Sequence, residues 1–203
     1  ATLRLNHLLD QDSSFASQLA NARRNLVDSQ ERYSKLNAKS LSRQASLASN
    51  QAVKSILDNK KEFSGVHGTI GQLGQVNKQF GVALETVAGG RMQHIVVDSD
   101  KTASDCIKFL QRNKLGSASF IPLNKIRSQE ISTSDKQLLK QNGVHDFAIN
   151  LVKFKHDFKK AFNYVFGNSL VVEDIATARS VGIGRVKMAT LDGSVAESSG
   201  VMR

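Results

Sequence analysis

Phe80-Gly81-Val82-Ala83-Leu84-Glu85-Thr86-Val87-Ala88-Gly89 decides the fold, because its skeleton returns later in the chain. Phe80, Ala83, Val87 and Gly89 recur at identical spacing as Phe158, Ala161, Val165 and Gly167. After a three-residue difference, Val96-Val97-Asp98 with Ala103 recurs as Val171-Val172-Glu173 with Ala178. Each unit reads as a helix stopped by a glycine that can take positive φ. An apolar strand follows, then an acidic residue where the next helix starts and its dipole favours negative charge. Eight matched positions point to two related subdomains, with a divide near residues 128–145.

Around this repeat, strands and helices alternate. Residues 92–97, 118–121, 147–152, 169–172 and 185–190 read as strands. Residues 80–88, 102–113, 155–166 and 174–181 read as helices, and 128–142 as a polar connection with a helical turn or two. Gly65-x-x-Gly68-x-x-Gly71-x-x-Gly74 has a three-residue step that fits no dinucleotide fingerprint, and Ile70, Leu73 and Val76 within it read as strand and turn. Such alternation predicts an α/β or α+β domain with its strands largely covered by helices.

All fourteen glycines fall between Gly65 and Gly200, so the first sixty-four residues lack a helix breaker of either kind, glycine or proline. A seven-residue register puts Leu5, Asp12, Leu19, Leu26 and Tyr33 at one seam position and Leu8, Phe15, Ala22, Ser29 and Leu36 at the other. That stripe predicts a coiled-coil arm about 80–90 Å long at 1.5 Å rise per residue, the alternative being an ordinary amphipathic helix packed on its own domain. The register breaks at Ser40 and Arg43 and resumes at Leu41, Ala45, Ala48, Ala52 and Ile56. The expected division is an arm over 1–64 and a globular domain over 65–203, split into 65–127, a connection 128–144, and 145–203.

The net charge is +10, spread as ten Lys/Arg against six Asp/Glu in 1–64 and eighteen against twelve beyond. Such an excess suits a polyanionic partner, through release of counterions from phosphates, or a solvated lysine surface. Cys106 is the only cysteine. It excludes an internal disulfide, fits a reducing compartment, and at helical spacing from Phe109 and Leu110 reads as a small core hydrophobe. No leader and no membrane-length apolar run is read in the chain, so a cytoplasmic or nuclear setting is expected. No phosphate-cradling Gly-x-x-x-x-Gly-Lys-Ser/Thr occurs, and the histidines at 7, 67, 94, 145 and 156 lack metal-ligand spacing. No nucleophile setting is recognisable, so no active site, metal or cofactor is assigned.

Lys153, Lys155, Lys159 and Lys160 stand beside Phe154, Phe158, Phe162, Tyr164 and Phe166. The aromatics read as core, and the lysines as a solvated face or a phosphate-contacting patch. Near the end, Asp192-Gly193 signals a hairpin turn with alternating flanks. A hairpin there is expected to present an edge strand, which tends to be paired or covered.

These residues together resemble the hinge domain of SMC (structural maintenance of chromosomes) proteins with one adjoining coiled-coil arm. The resemblance runs over 65–203 and rests on Gly65-Val66-His67-Gly68, on Val87-Ala88-Gly89-Gly90-Arg91-Met92-Gln93-His94-Ile95-Val96-Val97, and on Phe120-Ile121-Pro122-Leu123. It continues through Val165-Phe166-Gly167-Asn168, Thr190-Leu191-Asp192-Gly193 and Ser199-Gly200-Val201-Met202. Gly74 and Asn77 depart from the family pattern, where bulkier residues or proline are common.

The resemblance implies a homodimer in which a subdomain of one protomer meets the other subdomain of its mate. Gly182, Gly184, Arg185, Gly193 and Gly200 are the implied interface residues. It also implies a DNA-contacting basic surface near the arm junction, with Lys60, Lys61, Lys153 and Lys155 as candidates and Lys159 and Lys160 beside them. The family's arm pairs with a helix that follows the hinge, beyond Arg203. Its ATP, magnesium and kleisin partner belong to a distant head domain, and its setting is the cytoplasmic nucleoid. Alternatives at this stage are one half of a eukaryotic cohesin- or condensin-like heterodimer, a scaffold without DNA contact, and an α/β transferase using the glycine-rich segment.

Overall fold

The computed structural model describes residues 18–19, 21–36, 49–127 and 131–203. The chain forms two compact units, Ala1–Leu47 and Ala48–Arg203. In the first, residues 21–36 are helical, and Leu19, Leu26, Tyr33 and Leu36 of the heptad stripe are all exposed. Glu31 and Lys35 form an (i, i+4) ion pair on this helix. The seam residues Leu5, Leu8, Asp12 and Phe15, and the register break from Ser40 to Ala48, lie outside the described residues.

The second unit starts with helix α1, residues 49–58. Ala52, Val53 and Ile56 are buried on one face of it, the spacing an amphipathic helix requires. Residues that the sequence reading assigns to the arm thus pack into the core of the unit that holds the sheets.

The duplication is visible strand by strand. In the first half, β1 (Val66–Thr69), β3 (Ile95–Val97) and β4 (Phe120–Pro122) form a sheet in the order β1-β3-β4. The β1–β3 pair is antiparallel and the β3–β4 pair parallel, the latter joined by the crossover helix α4 (Asp100–Arg112). In the second half, β5 (Val144–Phe147), β7 (Ser169–Val172), β8 (Lys187–Thr190) and β9 (Val195–Ala196) lie in the order β5-β7-β8-β9. The β5–β7 pair is antiparallel and the β7–β8 pair parallel, joined by α7 (Ile175–Val181). A register irregularity falls between Val66 and Gly68 in one half and between Val144 and Asp146 in the other. Asp98 N–H donates to the Gly65 carbonyl at 2.9 Å, as Glu173 N–H does to that of Gly143 at 2.8 Å.

Local chemistry repeats as well. Ser99 caps α4 by accepting from Thr102 N–H, and Asp174 caps α7 by accepting from Thr177 N–H. Helices α3 (Gly81–Ala88) and α6 (Lys159–Phe166) each follow a short 3-10 turn. They end at Gly89 (φ +53°, ψ −136°) and Gly167 (φ +31°, ψ −132°), a conformation that a Cβ disfavours. The two halves join through a two-residue antiparallel bridge between β2 (Gln75–Val76) and β6 (Val152–Lys153).

Burial follows strand alternation. Ile95 and Val97 face a core with α1, Ala103, Cys106 and Leu110, whereas Val96 and Ile121 face the larger core with α3, α6, Phe147 and Phe162. All four residues of β7 are buried, as expected for a strand covered on both faces. Cys106 is fully buried, and burial with neighbouring Asp105 pushes its thiol up to about 11, so it is the core hydrophobe expected and no thiolate nucleophile.

Three expectations need correcting. The strand expected over 92–97 is confined to Ile95–Val97, because Gly89–Gln93 winds as a 3-10 helix. The strand expected over 147–152 ends at Phe147. There Asp146 Oδ1 accepts from Phe147 N–H at 2.6 Å and from Asn150 Nδ2 at 2.8 Å, which bends Ala148–Leu151 into a 3-10 turn. Within the glycine-rich segment, Ile70–Leu73 is one helical turn, α2. A capping box between Thr69 and Gln72 starts it.

Candidate dimer and nucleic-acid interface

The C-terminal segment is built around β8 and its hairpin. At the turn, Thr190 hydroxyl donates to the Asp192 carboxylate, Ser194 N–H reaches Asp192 Oδ1 at 3.1 Å, and Gly193 takes φ +94°. The Thr190 hydrogen bond, then that of Ser194, holds the exposed Asp192 carboxyl below the usual carboxylate range. Met188 pairs with Ala196 and Ala189 with Val195, so the expected hairpin forms.

Its outer strand is covered, one of the two outcomes expected for an edge strand there, and the cover is the chain's own tail. Gly200 (φ +91°) turns the chain back, and its N–H donates to the Glu197 carbonyl at 2.9 Å. Val195 and Arg203 then exchange both backbone hydrogen bonds, at 2.8 and 3.0 Å, and Glu197 N–H donates to the Val201 carbonyl. The tail Val201–Arg203 therefore covers β9. The outermost backbone groups of this sheet are those of Met202, whose neighbours on both sides point toward β9. Val201 and Met202 are exposed.

The predicted interface glycines separate into two places. Gly182 (φ +107°), Gly184 (φ +92°), Arg185 and Gly200 stand at the β8 start, where a Cβ added at Gly184 would lie 3.9 Å from the Ser198 carbonyl and one at Gly200 would meet nothing within 4 Å among the described residues. Gly193 stands at the opposite end of β8, where an added Cβ would lie 2.9 Å from Val82 of α3. Its close neighbour is thus this chain's own first half.

The first sheet differs from the second in one respect. Strand β8 has β9 beside it, but β4, its counterpart, has no neighbour beyond β3 among the described residues. Ile95 N–H donates to Ser119 and Leu123 N–H to Val97, so the backbone of Phe120 and the carbonyl of Pro122 point outward. Proline at this position suits an edge, since it lacks the outward donor.

Lys60 is distant in sequence from Lys153, Lys155 and Lys159, and the fold brings these four to two clefts that share Lys153. Lys60, Lys153 and Lys155 line one cleft of about 580 Å³ with His67, Gln75 and Phe158. Lys60 Nζ is fixed there by the His67 carbonyl at 2.8 Å. Lys153 also borders a second cleft of about 710 Å³ with Lys136, His156 and Lys159. Lys61 and Lys160 are exposed and border neither. The aromatics beside them are mostly core, as expected: Phe154 stacks on Phe162 at 4.3 Å, and Phe158, Phe162 and Phe166 are buried. Sequence reasoning missed Lys136 and His156, and also the β2–β6 bridge that seats Lys153 between the clefts. The constant offset of the duplication was the signal that could have found the bridge.

Among the described residues, no three His, Cys, Asp or Glu side chains are grouped to hold a metal, and no helix is long and apolar enough to cross a membrane. Residues 63–182 match the family model described as the flexible hinge domain of SMC proteins. The chain belongs to the SMC hinge family. It is 39% identical over 143 residues to a chromosome partition protein Smc of Aquifex aeolicus, covering 70% of this chain and 12% of that protein. With the protein of the same name from Methanocaldococcus jannaschii it shares 37% identity over 174 residues, covering 84% and 14%. This chain therefore spans about one-eighth of the length of these relatives. Among solved structures it is similar to the hinge of Geobacillus stearothermophilus SMC, described as an asymmetric dimer, with a TM-score of 0.72 and 28% identity. That match covers 82% of this chain and 75% of the other. The α+β architecture of two related halves is that of SMC hinges.

Proposed function

We propose that this chain is the dimerisation hinge of a chromosome-partition SMC protein, and that it joins two copies while contacting DNA. The observation that carries the dimer is the bare edge of β4, set against the outward backbone of Met202 in the tail. Each presents an unpaired N–H and carbonyl that the other can satisfy, and unpaired edges of this kind add strands. Two such contacts, β4 of each protomer with the tail of its mate, close under a two-fold axis into a ring. Gly200, with nothing within 4 Å of an added Cβ among the described residues, and Gly184, which carries no side chain at that end of β8, allow a neighbouring backbone to approach. Gly182, Arg185 and Gly193 enter this interface by resemblance.

DNA contact is assigned to the clefts bordered by Lys60, Lys153, Lys155 and Lys159, with Lys61 and Lys160 on the same stretches of chain. Their charge neutralises phosphates without reading bases, so binding is steeply salt-dependent and weakly sequence-dependent. The arm helix pairs with a helix supplied by other SMC sequence. ATP, magnesium, a kleisin partner and nucleoid association belong to the longer protein by resemblance, and none of that chemistry is assigned to residues 1–203.

Equilibrium sedimentation tests the dimer, which requires twice the 22.2 kDa chain mass. Persistent monomer would contradict it and favour a heterodimer subunit. DNA binding indifferent to salt, or absent, would leave a scaffold alone.

A further inference from the structure

We propose that the cleft between the end of α6 and the start of β8 binds a nucleoside phosphate. The cleft holds about 750 Å³, within the range of small-molecule sites. Four cations from separate parts of the chain border it: Arg91 after α3, Arg127 after β4, Arg185 before β8, and Lys187 on β8. It shares no lysine with the clefts assigned to DNA.

The charge balance in this cleft is uneven. Among the described residues, Glu197 is the single acid bordering it, and it is engaged by Lys187 at 3.4 Å and Arg203 at 3.0 Å. Arg91, Arg127 and Arg185 have no ion pair among the described residues. Arg91 is oriented by the Val165 carbonyl at 3.4 Å, an acceptor without full charge. Three arginines without an ion pair border one concavity, and a dianionic phosphoryl group would supply the counter-charge that the described residues do not. Arginine forks also match phosphate oxygens two at a time, which lysine does not.

The rest of the wall suits a base. Tyr164 borders the cleft 40% exposed, with the Arg91 guanidinium 5.7 Å from its ring centroid. A partly open ring with a cation over it is a stacking platform for a nucleobase. Asn163 lies in the same wall, and its amide offers both donor and acceptor to a base edge. A carboxylate from an acidic peptide would satisfy the arginines and leave these groups unused. The ligand is therefore a phosphate carrying a base, whether free or as one unit of a strand.

Calorimetric titration of the 203-residue chain with adenosine 5′-monophosphate at low salt tests the assignment. Saturable binding is expected, tighter than for adenosine or for inorganic phosphate alone. Arg127→Gln and Arg185→Gln, at exposed residues with no ion pair among the described residues, should each weaken it about tenfold through loss of a charge-assisted contact, with the sedimenting mass of Arg185→Gln unchanged because that residue also enters the dimer interface by resemblance. Lys153→Gln should leave it unchanged while weakening DNA binding, which separates this site from the proposed DNA face. If an oligodeoxyadenylate binds more tightly than the mononucleotide and loses that advantage in Arg185→Gln, the source is a strand; otherwise it is the free nucleotide. Absence of nucleotide binding at millimolar concentration, affinity unchanged from the wild-type chain in both arginine variants, or tighter binding of an acidic peptide would each overturn the proposal.

Discussion

Gln75 and Lys153 face each other across the antiparallel bridge between β2 and β6, and each occupies the same position in its own half of the duplication. The offset that carries Val66–Thr69 onto Val144–Phe147 also carries Gln75 onto Lys153. A local two-fold axis therefore runs between them. Equivalent residues meeting at such an axis make the bridge the joint of the two halves, and they put Lys153 at the boundary of two clefts.

Packing beside the joint leaves no room for a methyl group at Gly74. An added Cβ would lie 2.8 Å from Phe162 Cε1 and 3.0 Å from Val152 Cγ1. Phe162 cannot yield, because it is stacked against Phe154 and Phe166. Gly74→Ala should destabilise the second unit by about 1–3 kcal/mol through overpacking. Urea unfolding followed by circular dichroism measures this, and an unchanged midpoint would show that the joint can relax.

The Ser99 cap should contribute about 1 kcal/mol, lost in Ser99→Ala, because Thr102 N–H then has no partner among the described residues. Amide exchange over the first turn of α4 should speed up in that variant, with the α7 amides unaffected.

Acid should weaken the fold in two stages. His94 is held below its ordinary 6.5 by burial and then by Arg91, so the unfolded chain takes up its proton first. The stability His94 gives is full above pH 6.5 and declines as pH falls through its lowered value. Asp98, Asp174 and Asp192 are held below 3.8 chiefly by hydrogen bonds from Thr102, Thr177 and Thr190. Their contribution is present above 3.8 and is lost as pH falls through their depressed values. Urea midpoints measured from pH 8 to pH 3 should fall in both windows. In His94→Gln the upper fall should disappear and the lower one remain.

For DNA, Lys153→Gln should lower the slope of log affinity against log salt by about 0.7–0.9, the share of one phosphate contact. Lys61→Gln, which borders neither cleft, should change it less. Fluorescence anisotropy over a salt series reads both, and identical slopes for the two variants would remove the clefts from the DNA face.

Periodicity and turn chemistry made much of this fold legible. Val171-Val172 and Ser169 are β-branched or small in a run bounded by Gly167 and Glu173, and the strand lies at 169–172 as read. Asp192-Gly193 marked its hairpin for the same local reason. Where side chains compete with the ladder, the reading failed: Asp146 and Asn150 draw Ala148–Leu151 out of the strand, and Thr69 with Gln72 starts a helical turn. That the β9 edge would be paired or covered was legible, but that the chain's own tail covers it was not, because this depends on Gly200 reversing the chain rather than on any apolar pattern. The lysine clefts were half legible: residue types gave the charge, but only the β2–β6 bridge brings Lys153 near Lys60.

The most direct test of the dimer is equilibrium sedimentation of the chain beside Met202→Pro. That substitution removes the outward N–H of Met202 and leaves the Val195–Arg203 and Glu197–Val201 bonds in place. The wild-type chain should sediment at twice 22.2 kDa. With one hydrogen bond lost at each of two equivalent contacts, at about 1 kcal/mol apiece, the variant should associate roughly thirtyfold more weakly. A wild-type monomer, or equal association by the two proteins, would contradict pairing of the tail with the bare β4 edge.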